Sequence, residues 1–76
     1  MKSLKIKLDT IDKVKKFVNI ISMQDGDFDL ACDRYRVDAK SIMGIFSLDL
    51  TKDLALDIYD DNDFERIKIL LEPYIY

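Results

Sequence analysis

The chain has 76 residues and a net charge of −3, and 49% of its residues are hydrophobic and 36% are charged. These values predict one soluble globular domain over residues 1–76 rather than a disordered chain. No apolar run approaches the ~20 residues that a membrane-spanning helix needs, and lysines interrupt the first segment, so we expect no membrane association and no signal peptide.

Residue types that most enzyme mechanisms need are missing. The sequence has no histidine, one cysteine and two isolated glycines. Without histidine, neither a Ser-His or Cys-His nucleophile pair nor the usual Cys/His zinc site can form. The acidic run over residues 57–65 lacks the glycine and the distal glutamate of a calcium loop. The sequence therefore predicts a protein that is not an enzyme, with no catalytic residue, no metal and no cofactor.

Charge and cysteine usage bear on location and partners. Cys32 is the only cysteine and cannot form an internal disulfide, which favours a reducing, cytoplasmic setting. Residues 1–16 carry six lysines and two aspartates, whereas the remainder of the chain has a balance of −7. The lysines either attract an anionic partner or lie on the wet faces of a strand and a helix. Since the whole chain is acidic and no aromatic residue alternates with these lysines, we expect no nucleic-acid partner.

The first half of the chain alternates between strand and helix periods. Leu4, Ile6 and Leu8 alternate with lysines, which predicts a strand with one wet face. Thr10 can cap the helix that follows, and Gln24-Asp25-Gly26 ends that helix, because Gly26 can take a positive φ. The apolar residues of this helix have helical spacing: Ile11, Val14, Phe17, Val18 and Ile21.

Two more strands are predicted from Phe28 to Cys32 and from Tyr35 to Ala39, with a tight turn at Asp33-Arg34. A short helix is predicted from Ser41 to Ser47, with Ser41 as its cap. A fourth strand follows that contains Leu54, Leu56 and Ile58. The last helix is limited by Pro73 and has the apolar stripe Phe64, Ile67, Leu70 and Leu71. The order is β-α-β-β-α-β-α. It predicts an α+β domain in which a four-stranded antiparallel sheet has one face covered by three helices and the other in water.

The segment KSIMGIFSLDL, residues 40–50, resembles the signature of the histidine-containing phosphocarrier protein (HPr) of the bacterial sugar phosphotransferase system. The matching residues are Lys40, Ser41, Ile42, Met43, Gly44, Ser47 and Leu48. In the same ungapped register Phe17-Val18 and Val37 also fall on family positions. The resemblance covers nearly the whole chain and implies the open-faced β-sandwich of HPr.

The same register shows that the active-site side chains differ from those of the family. Thr10 stands where the family has its phosphorylatable histidine, and Asp12 stands where the phosphate-holding arginine would be. A threonine ester is a poor phosphoryl donor, and Asp12 would repel a phosphate that arginine would hold. The resemblance therefore implies a member that has lost phosphoryl transfer, in which Thr10 is only a helix cap.

Ser41 occupies the position that a dedicated kinase phosphorylates in many Gram-positive members. A phosphate there would add roughly −1.5 to −2 charges at the start of a helix, where the dipole favours negative charge. Ser41 could equally act only as the cap of that helix, and the sequence leaves both roles open. Asp49 stands where the family usually has glycine and could reduce recognition.

Ile42, Met43 and Phe46 share one face of the short helix by their spacing. The pattern alone favours a core role for them, whereas the resemblance implies the family's docking surface for enzymes and transcription regulators. We therefore predict a regulatory protein-binding module whose partner is a protein such as a transcription regulator or a kinase. The alternative is a small structural or assembly domain in which the same residues form a homodimer.

Overall fold

The structure is a computed structural model that describes residues 1–60 and 63–75. Its elements are β1 (Lys2–Ile6), α1 (Ile11–Ser22), β2 (Phe28–Cys32), β3 (Tyr35–Asp38), α2 (Ile42–Phe46), β4 (Leu54–Ile58), α3 (Phe64–Leu70) and a 3₁₀ turn (Glu72–Tyr74). The predicted element order and the α+β class are confirmed. Within the described ranges, no helix is long and apolar enough to cross a membrane.

The sheet has the strand order β1-β4-β2-β3, and every neighbouring pair is antiparallel. Side chains of period two from each strand point towards the helices, as the alternation of the sequence predicts. The predicted tight turn joins β2 to β3, and Asp33 in this turn has a φ of 55°. Aspartate tolerates this left-handed conformation better than most residues. Lys52 closes the turn by donating a 2.8 Å hydrogen bond to the Asp33 carboxylate.

The core lies between the sheet and the helices. Its fully buried large side chains are Ile6, Leu8, Val14, Phe17, Ile21, Leu30, Ile45, Leu54, Leu56, Ile58, Ile67 and Leu71. The rings of Phe17 and Tyr74 meet edge to face with centroids 6.3 Å apart, which joins α1 to the C-terminal turn. Because each such side chain contributes roughly 1.5–3 kcal/mol on burial, this layer supplies most of the favourable free energy of folding.

Two residues of the predicted apolar helix stripes are on the surface, as is Tyr35 of the predicted apolar face of β3. Ile11 is 64% exposed and Leu70 is 40% exposed. Ile11 is the first residue of α1, one turn before Val14, the first residue of the helix to be buried. Ile67 of α3 and Leu71, the residue after α3, lie one turn apart and both are buried, which turns Leu70 about 100° away from the sheet.

The uncovered face of the sheet contains an electrostatic problem that the sequence analysis missed. Asp29 of β2 lies directly opposite Asp57 of β4, and like charges in that position are destabilising. Arg36 of β3 reaches across both, pairing with Asp57 and approaching Asp29 to 3.5 Å. Ser3 donates a 2.6 Å hydrogen bond to Asp57, and Tyr59 donates a 2.7 Å hydrogen bond to Asp29. We call these five residues the open-face network.

Asp57 was expected to face water, yet only 5% of its surface is exposed. Burial by itself raises the pKa of its carboxyl, but the hydrogen bonds from Ser3 and Arg36 and the charge of Arg36 outweigh that effect. The pKa of Asp57 therefore lies below its ordinary value. The ionised form is the one that the fold stabilises.

We expect Leu56→Ala to lower the free energy of unfolding by ~2–5 kcal/mol, because it leaves a cavity in the core beside β4, a central strand of the sheet. Urea denaturation followed by circular dichroism measures this difference. Ile11→Ala is the matched control, since this exposed side chain should change the free energy of unfolding by no more than about 0.5 kcal/mol. Equal losses in both variants would contradict the assignment of the core.

We expect the fold to lose stability in acid through Asp57. Since the folded-state pKa is lowered, the carboxylate stabilises the fold above about pH 4, the ordinary value for aspartate, and this contribution is lost as the pH falls through the lower folded-state pKa. Asp57→Asn should therefore be less stable at neutral pH and lose less stability than wild type on acidification. Asp53→Asn, at an exposed position, should retain the wild-type pH profile. Parallel profiles for wild type and Asp57→Asn would refute the role of Asp57.

Candidate docking site

The helix α2 forms because its ends are capped by side chains that the sequence places there. The Ser41 backbone is extended, and its hydroxyl oxygen accepts a 3.2 Å hydrogen bond from the Gly44 N–H. Ser47 donates a 2.6 Å hydrogen bond to the Gly44 carbonyl at the other end. The prediction that Ser41 caps this helix is confirmed. A helix of five residues gains little from propensity alone, so its position depends on packing.

Gly44 lets α2 lie close to the sheet. A Cβ atom added to Gly44 would be 3.2 Å from the Cβ of Val37 in β3 and 3.3 Å from the Ser41 hydroxyl oxygen. Ile45 is fully buried and Leu48 is nearly so, and both hold the segment onto the core. Glycine in the middle of α2 is therefore explained by the close approach of the helix to β3.

We define the docking patch as Ile42, Met43 and Phe46. Met43 is 76% exposed and Phe46 is 40% exposed, whereas Ile42 is half-buried and packs against the core. Two large apolar side chains of one short helix thus remain in contact with solvent. Part of the Phe46 side chain is therefore accessible to another molecule.

Lys40, directly before Ser41, connects this region to the rest of the fold. Its ammonium group donates a 2.7 Å hydrogen bond to the Gln24 carbonyl after α1 and lies 5.6 Å from the centre of the Phe28 ring. Arg66 of α3 donates a 2.7 Å hydrogen bond to the side-chain oxygen of Gln24, which is itself buried. We call Gln24, Lys40 and Arg66 the Gln24 junction. No local pattern in the sequence reveals this junction, because its members come from three separate segments.

Asp49 ends the segment that follows α2. Its carboxylate accepts hydrogen bonds from the Thr51 N–H at 3.1 Å and the Thr51 hydroxyl at 2.6 Å. These bonds lower the pKa of Asp49. The Asp49 carboxylate therefore points into the turn formed by residues 49–51, where it fixes the chain between α2 and β4.

The start of α1 is where the resemblance implies a degenerate active site. The Thr10 hydroxyl oxygen accepts a 3.1 Å hydrogen bond from the Lys13 N–H, which confirms Thr10 as the helix cap. Asp12 forms a 3.0 Å ion pair with Lys16, and Asp9 forms a 2.9 Å ion pair with Lys13. The hydrogen bond from Lys13 lowers the pKa of Asp9, and the hydrogen bond to Asp12 raises the pKa of Lys16. Each of these two carboxylates pairs with a lysine four residues further along the chain.

Among residues 1–60 and 63–75, no group of three or more His, Cys, Asp or Glu side chains is arranged to hold a metal ion. Residues 61 and 62 of the acidic run lie outside the described residues. Cys32 is buried, with its sulfur 3.9 Å from the Asp49 carbonyl oxygen.

Two solved structures resemble this chain over nearly its whole length. HPr-C-His from Thermoanaerobacter tengcongensis has a TM-score of 0.80 and 28% sequence identity, covering 97% of this chain and 91% of that chain. The phosphocarrier protein HPr from Bacillus anthracis str. Ames has a TM-score of 0.72 and 22% identity, covering 96% of this chain and 93% of that one.

This chain has the HPr fold. The open-faced sandwich that the resemblance implied is thereby confirmed. No protein-family model matches the sequence, and no curated protein sequence matches it significantly. The likeness to HPr therefore rests on the three-dimensional structure together with the residues of the α2 segment.

We expect Ser41→Ala to lower the free energy of unfolding by ~0.5–2 kcal/mol, because the Gly44 N–H loses its acceptor. Ser41→Asp should retain most of the wild-type stability, since aspartate caps helices as well as serine does. Urea denaturation of the three proteins at neutral pH measures the differences. If Ser41→Asp were as unstable as Ser41→Ala, the capping bond would not be the source of the effect.

Proposed function

We propose that this chain is an HPr-like member of the phosphocarrier family that no longer carries phosphate and works in the cytoplasm as a regulatory protein-binding module. The observation that carries the proposal is the exposure of Met43 and Phe46 on a helix that Ile45 anchors in the core. Two apolar side chains that an anchored helix keeps in contact with solvent are typical of a surface that another protein covers.

The loss of phosphoryl transfer follows from the side chains at the start of α1. The chain contains no imidazole, so it cannot form a phosphoramidate that is passed to another protein. The Thr10 hydroxyl oxygen accepts the capping hydrogen bond of α1, and its phosphate ester would be a poor donor. Asp12, at the place of the family's arginine, adds negative charge. These facts support a role in binding rather than in phosphate relay.

The docking patch suits a small, adaptable contact. Full burial of an apolar side chain contributes roughly 1.5–3 kcal/mol, and interface energy is concentrated in a few such residues. Phe46 supplies a rigid ring, and Met43 supplies a flexible side chain that adjusts to the partner's surface. A partner that covers both would gain enough for a specific but reversible interaction.

Phosphorylation of Ser41 is the proposed control. Ser41 is exposed and immediately precedes Ile42 of the docking patch. A phosphate at this position could accept the Gly44 N–H that the hydroxyl now accepts, so α2 would remain capped. The phosphate would also place up to about two negative charges beside the docking patch. It would therefore favour a partner with arginine or lysine next to Ser41.

The test is capture of partners from the native cytosol on immobilised wild type, Phe46→Ala, Ser41→Asp and the control Ile69→Ala. Ile69 is an exposed apolar residue of α3, outside the docking patch. We expect a partner retained by wild type and Ile69→Ala to be lost with Phe46→Ala and changed in amount with Ser41→Asp. Identical sets of captured proteins from all four would contradict docking through α2.

The competing assembly role uses the same patch against a second copy of the chain. Static light scattering over a range of protein concentrations separates the two functions. A dimer that forms with increasing concentration and is abolished by Met43→Asp would favour the assembly role. A monomer at all concentrations, with retention of a partner that depends on Phe46, would favour the regulatory module.

A further inference from the structure

The loop between α1 and β2 contains the sequence Asp25-Gly26 in an accessible position. α1 ends at Ser22 with its C-cap at Met23, and both Asp25 and Gly26 are exposed. Gly26 has a φ of +95°, which favours glycine strongly. In the described part of the chain, neither the Asp25 carboxyl group nor the Gly26 N–H has a hydrogen-bond partner. The two groups are therefore free to react with each other.

We propose that Asp25 is a site of spontaneous conversion to isoaspartate. The backbone nitrogen of Gly26 attacks Cγ of Asp25, the bond from Cγ to the carboxyl hydroxyl breaks, and this hydroxyl leaves with the amide proton as water. The product is a five-membered succinimide ring. Water then adds to one of the two ring carbonyls. Opening at the former main-chain carbonyl leaves the chain running through the side-chain carboxyl group, which is isoaspartate.

The surroundings select this aspartate over its neighbours. The residue after Asp25 has no side chain to shield its nitrogen, whereas Asp27 is followed by Phe28, which is buried in the core. Asp12 is followed by Lys13, whose N–H donates to the Thr10 hydroxyl oxygen inside the first turn of α1. A nitrogen that is shielded or already hydrogen-bonded cannot approach the carboxyl carbon as readily.

The conversion has a structural consequence at the Gln24 junction. Isoaspartate adds one methylene to the main chain directly after Gln24, the residue that accepts hydrogen bonds from Lys40 and Arg66. The loop also lies close to the segment after β4, since a Cβ added to Gly26 would lie 3.4 Å from the Cβ of Asp60. The longer backbone therefore displaces the Gln24 carbonyl from the Lys40 ammonium group and loosens the connection between α1, α2 and α3.

The chemical step is tested by ageing purified full-length protein at raised temperature and neutral pH. Isoaspartate is then labelled with protein isoaspartyl methyltransferase and a radioactive methyl donor. We expect label to accumulate in the tryptic peptide Phe17–Arg34, together with a form lighter by one water molecule, the succinimide. Fragmentation of the peptide should assign both to Asp25.

Asp25→Glu is the matched variant, because it retains the charge and Gly26 but would require a six-membered ring. We expect this variant to lose the label from the peptide. Equal labelling of wild type and Asp25→Glu, assignment of the label to Asp27 or Asp33, or no label after prolonged ageing would overturn the proposal.

The structural step is tested on the same samples by thermal denaturation and hydrogen exchange. Aged wild type should melt at a lower temperature than fresh wild type and exchange faster at residues 23–28, whereas aged and fresh Asp25→Glu should agree. An aged wild type that contains isoaspartate yet melts and exchanges like the fresh protein would refute the loosening of the junction.

Discussion

A sheet that helices cover on one face only must make its other face stable in water, and in this chain that requirement centres on Arg36. The strands β2 and β4 form the middle of the sheet, and their register places Asp29 opposite Asp57. Without a cation between them, the two carboxylates would repel each other in the middle of the sheet, where β2 pairs with β4. Arg36 makes the register acceptable, and the register in turn sets which side chains of β2 and β4 face the core. The helices pack onto that core, so their positions depend indirectly on a polar contact on the opposite face.

The exposure of the docking patch depends on how little of α2 the core can take. Ile45 and Leu48 occupy the available space beneath the segment, which leaves Met43 and Phe46 without a place inside. The HPr fold supplies the helix, and we propose that the side chains at the start of α1 no longer support phosphate relay. The α2 segment exposes Met43 and Phe46 to solvent, and the start of α1 is capped by Thr10 and carries two lysine–aspartate pairs. A binding role for the protein is consistent with both observations.

Sequence reasoning succeeded where one local rule decides the structure. The alternation of Leu54, Leu56 and Ile58 and the caps Thr10 and Ser41 are local patterns, and the structure confirms them. It failed for Ile11, because helical spacing does not show that the first buried residue of α1 is Val14, one turn later. It also failed for Asp57, because burial of an aspartate on the wet face needs Arg36 and Ser3 from two other strands. Whether the docking patch is used remains a prediction, since that depends on a second molecule.

The contact between Gly44 and Val37 fixes the height of α2 above the sheet. A helix seated this closely on a strand, and capped at both ends by serine, has few alternative orientations. A protein that binds the docking patch would therefore meet Phe46 on an ordered helix, and no mobile segment would have to become ordered first. Binding to an ordered helix loses less conformational entropy than binding to a mobile loop. Even a small apolar contact can then give useful affinity.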